Sequence, residues 1–267
     1  MININTNSID LILINNKENN NVNKELYRVL KPGGYLFGID KPHKSHNSVC
    51  DIEDIGFIIK DSISYFFKEN EDIKQDVICL AMKPLSEKNF ADNVMKWGTG
   101  GLNIDKCRIG NEKISVHNAP KGTFAGGEPE RGSETIYREH EGRYPANFII
   151  SEDVAPILDK QSGYSKSSDA IRRNNQSKHT GSKNGAYCYG KFNDCDTRGY
   201  SDAGGASRFF KNVDSYKELL KYIAIMGLPP KKGKVLFIGF NNADEIIKGI
   251  NKESNVNYEA ITIGGVE

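Results

Sequence analysis

Cationic and aromatic side chains alternate between Lys160 and Tyr200. This stretch holds eight Lys or Arg residues against three Asp residues, a surplus of five positive charges. Cationic side chains bind phosphates and aromatic rings stack on bases, so the mixture favours contact with a nucleic acid. A solvated, poorly ordered insertion has the same composition, and both interpretations stay open. The candidate contacts to DNA are Arg172, Arg173, Lys178, Lys183 and Lys191.

Histidines and cysteines form no metal or disulfide pattern. His43 and His46 lie near Lys41 and Lys44 in a predicted surface loop, and no acidic or cysteine partner stands at ligand spacing, so we predict no metal site. The five cysteines include no CxxC pair. Their odd number and irregular spacing favour free thiols in a reducing compartment.

Overall charge and hydropathy exclude a global attraction to polyanions or membranes. The 267 residues carry a formal net charge of +1, so any basic patch must be local. No stretch reaches the ~18–20 apolar residues of a membrane-spanning helix, and the first residues lack the basic start of a signal peptide. We therefore expect a cytoplasmic protein without a membrane partner. The length suits one large α/β domain with an insertion, or two small domains.

Apolar runs alternate with helical patterns in the first 90 residues. Lys31-Pro32-Gly33-Gly34 is expected to end the first helix, since proline follows helices and glycine allows the reversal. The alternation predicts a parallel sheet with right-handed crossovers. The predicted strands are Ile9–Ile14, Tyr35–Ile39, Phe57–Tyr65 and Asp76–Met82. One helix is predicted over Lys24–Leu30, and Ile52–Gly56 is predicted as the end of another.

The sequence changes character from Lys83 to about Phe210, where glycine and polar residues dominate. Long loop stretches within a compact domain are usually functional or mobile. Regular patterns then return as a second β-α-β unit, which would extend the first sheet. Its predicted elements are helices over Tyr216–Met226 and Ala243–Ile250, and strands over Lys234–Phe240 and Tyr258–Ile263.

Several phrases in a fixed order resemble the DNA amino-methyltransferases, which methylate adenine N6 or cytosine N4, and are most similar to the phage and prophage group. The catalytic half precedes the cofactor half, as in the circularly permuted class of that family. The resemblance covers most of the chain except about 160–200. The phrases are Ser8–Ile14, Glu25–Leu36, Ile52–Ile58, Val77–Lys83, Phe90–Ile109, Gly142–Ile150, Gly204–Phe210 and Leu219–Phe240.

The resemblance implies a Rossmann-like α/β fold of the S-adenosylmethionine-dependent methyltransferases. In that fold a mixed, mostly parallel sheet carries helices on both faces, and here a long irregular insertion would interrupt it. Residues 1–90 would form the catalytic half of the domain. Residues 91–210 would form an irregular, target-recognition-like insertion, and residues 211–267 the cofactor half.

The resemblance places four residues at the family's catalytic tetrapeptide, Asp or Asn followed by Pro-Pro-aromatic. They are Asn15, Asn16, Lys17 and Glu18. In the family the first side chain and the first proline carbonyl accept hydrogen bonds from the base amino group, and the aromatic ring stacks on the flipped base. Asn15 keeps an acceptor oxygen. Asn16 and Lys17 lack the fixed φ of proline, and Glu18 cannot provide stacking worth roughly 1–3 kcal/mol.

The cofactor strand departs from the family in the same way. The family has Asp-Pro-Phe-x-Gly-x-Gly-Thr, whose glycines let the backbone approach the cofactor. Asp244 and Glu245 follow; they would cap the next helix and suit its dipole, but they would repel the methionine carboxylate. The equivalent positions are Phe237 at the Asp, Gly239 at the Phe, Asn241 at the first Gly and Ala243 at the second Gly.

Three functional hypotheses follow. The first is a methyltransferase-like pseudoenzyme that holds no cofactor and acts as a binding module for DNA or for a protein partner, including a second copy of itself. The alternative is an active S-adenosylmethionine-dependent DNA amino-methyltransferase that uses Asn15. It would need an open cofactor pocket after Phe240, and Phe240 or Asp244 filling that pocket would count against it. The third is an interaction protein unrelated to DNA, with the fold as scaffold.

Overall fold

The computed structural model describes residues 3–17, 22–117, 137–167 and 202–263, with residues 113–117 and 137–140 described by their backbone alone. The strands are β1 Ile9–Asn15, β2 Leu30–Asp40, β3 Ile58–Glu69, β4 Asp72–Met82, β5 Ile109–His117, β6 Tyr137–Arg143, β7 Phe148–Ser151, β8 Ser165–Lys166, β9 Ala203–Gly204, β10 Lys211–Val213, β11 Gly233–Ile238 and β12 Tyr258–Ile263. The helices are α1 Lys24–Val29, α2 Ser45–Ile55, α3 Phe90–Trp97, α4 Ala155–Ser162, α5 Tyr216–Gly227 and α6 Ala243–Ser254, with 3₁₀ turns at Asp105–Cys107 and Ala206–Phe209.

One sheet of eight strands organises the fold, in the order β10-β7-β3-β4-β2-β1-β11-β12. Strand β4 runs antiparallel to both of its neighbours, and every other pairing in this sheet is parallel. Helices α1 and α2 pack on one face and helices α5 and α6 on the other. This is the Rossmann-like α/β architecture that the sequence predicts, with its mixed, mostly parallel sheet and helices on both faces.

The central strand β1 explains why its sequence is almost entirely apolar. Leu11 and Leu13 point into the core beneath α5 and α6, while Ile12 and Ile14 point into the core beneath α1 and α2. A strand buried on both faces has no solvent side, so polar alternation disappears. Its one internal acid, Asp10, is buried and forms an ion pair with Lys31 at 2.6 Å.

The alternation of strands and helices did not indicate which strand of the mixed sheet is antiparallel, and that strand is β4. Strands β3 and β4 form a long antiparallel hairpin, closed by Asn70 and Glu71, and Asn70 adopts the left-handed φ of 56° that such a tight turn needs. The predicted strands ending at Tyr65 and beginning at Asp76 are each part of this hairpin. Because its outer halves are polar and exposed, an apolar run marks only the inner half of each strand.

The phrase Lys31–Gly34 is not the turn that the sequence predicts. Helix α1 ends at Val29, and β2 already begins at Leu30. The register against β1 then skips, with Ile9 opposite Leu30 but Leu11 opposite Tyr35. Gly33 has φ 75°, and a Cβ there would lie 2.5 Å from the side chain of Asn93, so the irregular backbone requires glycine.

The predicted insertion contributes to the main sheet as well as to loops. Strand β7 of this region pairs with β3 and extends the main sheet, and β10, at the start of residues 211–267, pairs with β7 at its edge. The pairs β5–β6 and β8–β9 lie outside that sheet. Cys50, Cys79 and Cys107 are free thiols, and burial raises the pKa of Cys79 and of Cys107 to about 12. Within the described residues, none of the helices combines the length and the apolarity needed to cross a membrane.

Candidate functional site

The carboxyl ends of β1 and β11 form the topological switch point of the sheet. From β1 the chain continues through α1 to β2, and from β11 it continues through α6 to β12 on the opposite side. Ligands of open α/β sheets bind in the crevice at such a point. The structure therefore brings Asn15 and Gly239, two residues that the sequence singles out separately, to the same place. We call the space between these two strand ends the switch-point crevice.

Asn15 joins the two sides of the switch-point crevice. Its side-chain Nδ2 donates a hydrogen bond to the carbonyl oxygen of Gly239 at 3.2 Å. Its Oδ1 accepts a hydrogen bond from the backbone N–H of Lys17 at 3.3 Å. Both ends of the amide are therefore hydrogen-bonded to the chain's own backbone. This includes the amide oxygen, which the family resemblance would assign to a base amino group.

Phe240, which follows β11, packs as a core residue beside the switch-point crevice. Gly239 has φ 74° and reverses the chain after β11. Phe240 is only 4% exposed and packs edge-on against Phe237, with ring centroids 5.9 Å apart. Ala243, at the family's second glycine position, is buried as well. Phe240 and Ala243 are therefore core residues of the fold.

The first turn of α6 is acidic, as the sequence predicts, but it is not capped by its acids. The N-cap residue is Asn242, whose backbone carbonyl accepts hydrogen bonds from Glu245 and Ile246. Glu245 instead accepts a hydrogen bond from Lys217 of α5 at 2.9 Å, which lowers the pKa of Glu245. Asp244 and Glu245 place negative charge where a helix otherwise attracts anions.

Asn16 takes part in a buried polar network at the end of β2. Its backbone N–H donates to the carbonyl of Ile39 at 2.8 Å, and its Nδ2 lies 3.5 Å from Ser48 Oγ. Ser48 in turn donates to Asp40 Oδ1 at 2.9 Å. Burial raises the pKa of Asp40, and the hydrogen bonds from Ser48 and Asn16 lower it in part. Sequence reasoning missed Asp40. The signal that could have found this residue is an acid directly after the apolar run of a strand.

Lys17 turns away from β11 toward β4 and α5. Its ammonium group forms an ion pair with the buried Asp76 and lies 4.3 Å from the ring centroid of Tyr216 and 5.8 Å from that of Phe67. Burial raises the pKa of Asp76, and the contact with Lys17 lowers it in part. Glu18, the fourth residue of the tetrapeptide position, lies outside the described residues.

An open cleft of about 330 Å³ adjoins Lys17 at the same edge of the sheet. Burial, with Asp76 and Asp153 nearby, raises the pKa of Tyr65 to about 12, and burial also raises the pKa of Tyr216. Both phenols are therefore neutral at pH 7. Sequence reasoning missed this cleft, although Tyr65 and Phe67 stand two apart and so share a strand face. Its lining residues are Lys17, Tyr65, Phe67, Lys68, Ser151, Asp153, Asp214, Ser215 and Tyr216.

Comparison with known proteins finds similarity of fold. No protein-family model matches this chain, and no curated protein matches it. Among solved structures it is similar to M1.HpyAVI, alone and in complex with SAM, at 10% and 11% identity and a TM-score of 0.43, over 96% of this chain and 82% of that one. It is also similar to the PvuII cytosine-N4-specific DNA methyltransferase, at 10% identity and a TM-score of 0.44, over 99% of this chain and 77% of that one.

The candidate DNA contacts lie outside the described residues, but the residues flanking them are described. Ser167 donates its backbone N–H to the carbonyl of Asp202 at 2.9 Å, and β8 pairs with β9 beside them. Asp202 also forms ion pairs with Arg143 at 2.7 Å and with Arg208 at 3.0 Å. The described chain on either side of residues 168–201 is therefore held together. The five candidates are Arg172, Arg173, Lys178, Lys183 and Lys191.

The two histidines stand in different elements. His43 lies in the turn before α2, while His46 lies in the first turn of that helix, so the prediction of a loop is wrong for His46. A run of polar residues without apolar periodicity concealed the helix start. Throughout the part of the chain that the structure describes, no three His, Cys, Asp or Glu side chains come together in a group that could hold a metal ion.

Proposed function

We propose that this chain is a methyltransferase-like protein that no longer transfers methyl groups and uses its fold as a DNA-binding module. The packing and hydrogen bonding at the switch-point crevice are the observation that supports the proposed loss of activity. Phe240 is buried against Phe237, and Asn15 is hydrogen-bonded to the Gly239 carbonyl. A cofactor entering between β1 and β11 would have to displace the aromatic ring and break that bond.

The charge at the start of α6 supports the same proposal. A methionine carboxylate bound at this helix terminus would approach Asp244 and Glu245. Like charges repel, and the attraction of a helix N-terminus for an anion is modest, about 0.3–1 kcal/mol. Two carboxylates in the first turn therefore cancel the advantage that the helix would offer to the cofactor.

The test is a calorimetric titration with S-adenosylmethionine and with S-adenosylhomocysteine, each with and without duplex DNA, followed by a methyl-transfer assay. We expect no binding and no transfer. Micromolar binding of either compound would show that the crevice opens. Methyl transfer to DNA that is lost in Asn15→Ala would overturn the proposal and establish an active enzyme.

DNA binding is supported by the basic segment between Lys160 and Tyr200, whose flanking residues are held together. We expect DNA affinity to fall more than tenfold when Arg172, Arg173 and Lys178 are changed to Glu. The dependence on salt should weaken as well, with a slope smaller by about 0.9 for each phosphate that the variant no longer neutralises. The matched control changes three exposed lysines elsewhere, Lys231, Lys232 and Lys252, to Glu.

Equal DNA affinity in the two triple variants at low salt would remove the support for DNA. A protein partner or a second copy of the chain would then be the function to pursue, through co-purification and measurement of molar mass in solution. Fold alone does not choose between these partners.

An active methyltransferase with a divergent site is the second candidate. The position of Asn15 favours it, because its amide stands at the carboxyl end of β1 directly beside β11. S-adenosylmethionine would then be the cofactor, and Phe240 would have to leave its packed position when it binds. The same titration separates the two candidates.

A further inference from the structure

The cleft next to Lys17 has an aromatic wall built from two elements. Tyr65 and Phe67 point the same way from β3, and their rings stack with centroids 5.3 Å apart and planes 17° apart. The ring of Tyr216, the first residue of α5, lies with its centroid 6.5 Å from that of the Tyr65 ring. We call the space lined by these three rings and by Ser151, Asp153 and Asp214 the aromatic cleft.

The inner end of the aromatic cleft already holds a cation. The Lys17 ammonium lies within the ~6 Å at which a ring attracts a cation, both for Tyr216 and for Phe67. It also forms an ion pair with Asp76, whose side chain is 4% exposed. The chain itself therefore shows which kind of group these walls accept.

Two hydroxyl groups of the aromatic cleft have no hydrogen-bond partner among the residues that the structure describes. They are Ser151 Oγ and the Tyr216 phenol, and both oxygen atoms are buried. Ser151 as a whole is only 6% exposed. Leaving a buried hydroxyl without a partner is unfavourable, and each can accept a hydrogen bond from an N–H donor.

The mouth of the aromatic cleft is acidic. Asp153 and Asp214 are exposed there, while Lys68, the other cation in the lining, forms an ion pair with Glu71. With Asp76 at the inner end, carboxylates stand at both ends of the space. An anionic ligand would meet them on either side, whereas a cation would be attracted.

We propose that the aromatic cleft binds a protonated amine, and that Lys17 is the built-in occupant of its inner end. The rings attract the charge, the hydroxyl groups of Ser151 and Tyr216 accept its N–H bonds, and Asp153 and Asp214 draw it to the mouth. This site lies on the β2 side of β1, apart from the switch-point crevice, and it does not depend on the function proposed above.

The first experiment titrates the wild-type protein with n-propylammonium by calorimetry. The controls are n-propanol, which has the same chain without charge, and propionate, which has the opposite charge. We expect propylammonium to bind at least about tenfold more tightly than either control, as one cation–π contact with hydrogen bonds provides. Tyr216→Leu should reduce that affinity about tenfold. Equal binding of propylammonium and propanol by the wild type overturns the proposal.

The second experiment empties the inner end with Lys17→Ala. Propylammonium chloride should raise the thermal midpoint of this variant by about 2–4 °C more than it raises that of the wild type, because the amine replaces the missing cation beside Asp76. Lys74→Ala is the matched control, since Lys74 pairs with Asp72 on the exposed surface. Sodium chloride at equal concentration corrects for salt.

The outcomes of this second experiment are distinct. Rescue of Lys17→Ala, but not of Lys74→Ala or of Lys17→Ala combined with Tyr216→Leu, supports the site. Equal midpoint shifts in all variants, or rescue by propanol, overturn it. If Lys17→Ala does not fold, Lys17→Met keeps the packing of the side-chain stem and takes its place, and the wild-type titration decides the proposal independently.

Discussion

The switch-point crevice and the aromatic cleft lie at the same edge of one sheet and share the residues that follow β1. They differ in the groups that line them. At the crevice, Phe240 packs against Phe237, and the Asn15 amide is hydrogen-bonded to the Gly239 carbonyl. In the cleft, aromatic walls, hydroxyls and carboxylates surround a space of about 330 Å³. Neighbouring strand ends on one scaffold can therefore carry very different side-chain environments.

The two regions also differ in what their buried groups contribute to the fold. Beside the crevice, Ala243 and Phe240 pack as core residues. The cleft keeps buried groups that a core does not use, such as Ser151 Oγ. Packing contributes to stability, whereas polar groups without partners do not, so the first region serves the fold and the second is available to bind.

The largest effect is expected from Phe240→Ala. Because Phe240 packs as a core residue, its removal leaves a cavity and lowers the free energy of unfolding by about 3–5 kcal/mol. Denaturant unfolding measures this change. Phe90→Ala is the control, because Phe90 is 48% exposed and its removal should cost far less. Equal destabilisation in the two variants would mean that Phe240 does not pack as a core residue.

A smaller effect is expected from Lys17→Met. The substitution removes the charge but keeps most of the stem, and it leaves the buried Asp76 carboxylate without its cation. Breaking a buried ion pair costs about 3–5 kcal/mol, and the effect should fall near the lower end because Lys17 is 21% exposed. Chemical denaturation at pH 7 measures it. Lys74→Met, at an exposed pair, should change stability by less than about 1 kcal/mol.

A change of about 1 kcal/mol is expected from Asn15→Ala, which removes the hydrogen bond across the crevice. Asn15→Asp keeps the shape but turns an acceptor toward the Gly239 carbonyl, so it should destabilise the protein at least as much once the new carboxyl group is ionised. Unfolding curves of both variants test this. If Asn15→Asp were the more stable variant, the amide would not face Gly239.

The smallest effect is a difference in pH dependence at Asp40. Burial raises the pKa of this acid in the folded protein, so its contribution to stability is present below the unfolded-state pKa and is lost as pH rises through the folded-state pKa. Asp40→Asn has no carboxyl group to ionise, so the variant does not lose stability in this way as pH rises. The stability of the variant relative to wild type should therefore increase as pH rises from about 4, near the unfolded-state pKa. A difference that does not change with pH would contradict the buried environment of Asp40.

Much of the fold could be predicted from local pattern, because periodicity is a local property. The apolar run of β1, the helical face of α5 and the strands β11 and β12 are all predicted within about two residues of their bounds. The antiparallel β4 was missed, since direction depends on which strand a segment pairs with. The site was predicted in part: Asn15 and Gly239 do meet, while the partners of Lys17 were not foreseen.

The sequence by itself determined the alternation of elements, the polar residues that end β1, and the positions of Asn241 and Ala243 just after the apolar run of β11. Only the tertiary structure decided that Phe240 turns back into the core and that Lys17 lies between Asp76 and Tyr216. The physical reason is distance along the chain. Propensity and periodicity act over a few residues, whereas a crevice or a cleft is formed by side chains that the sheet brings together from remote segments.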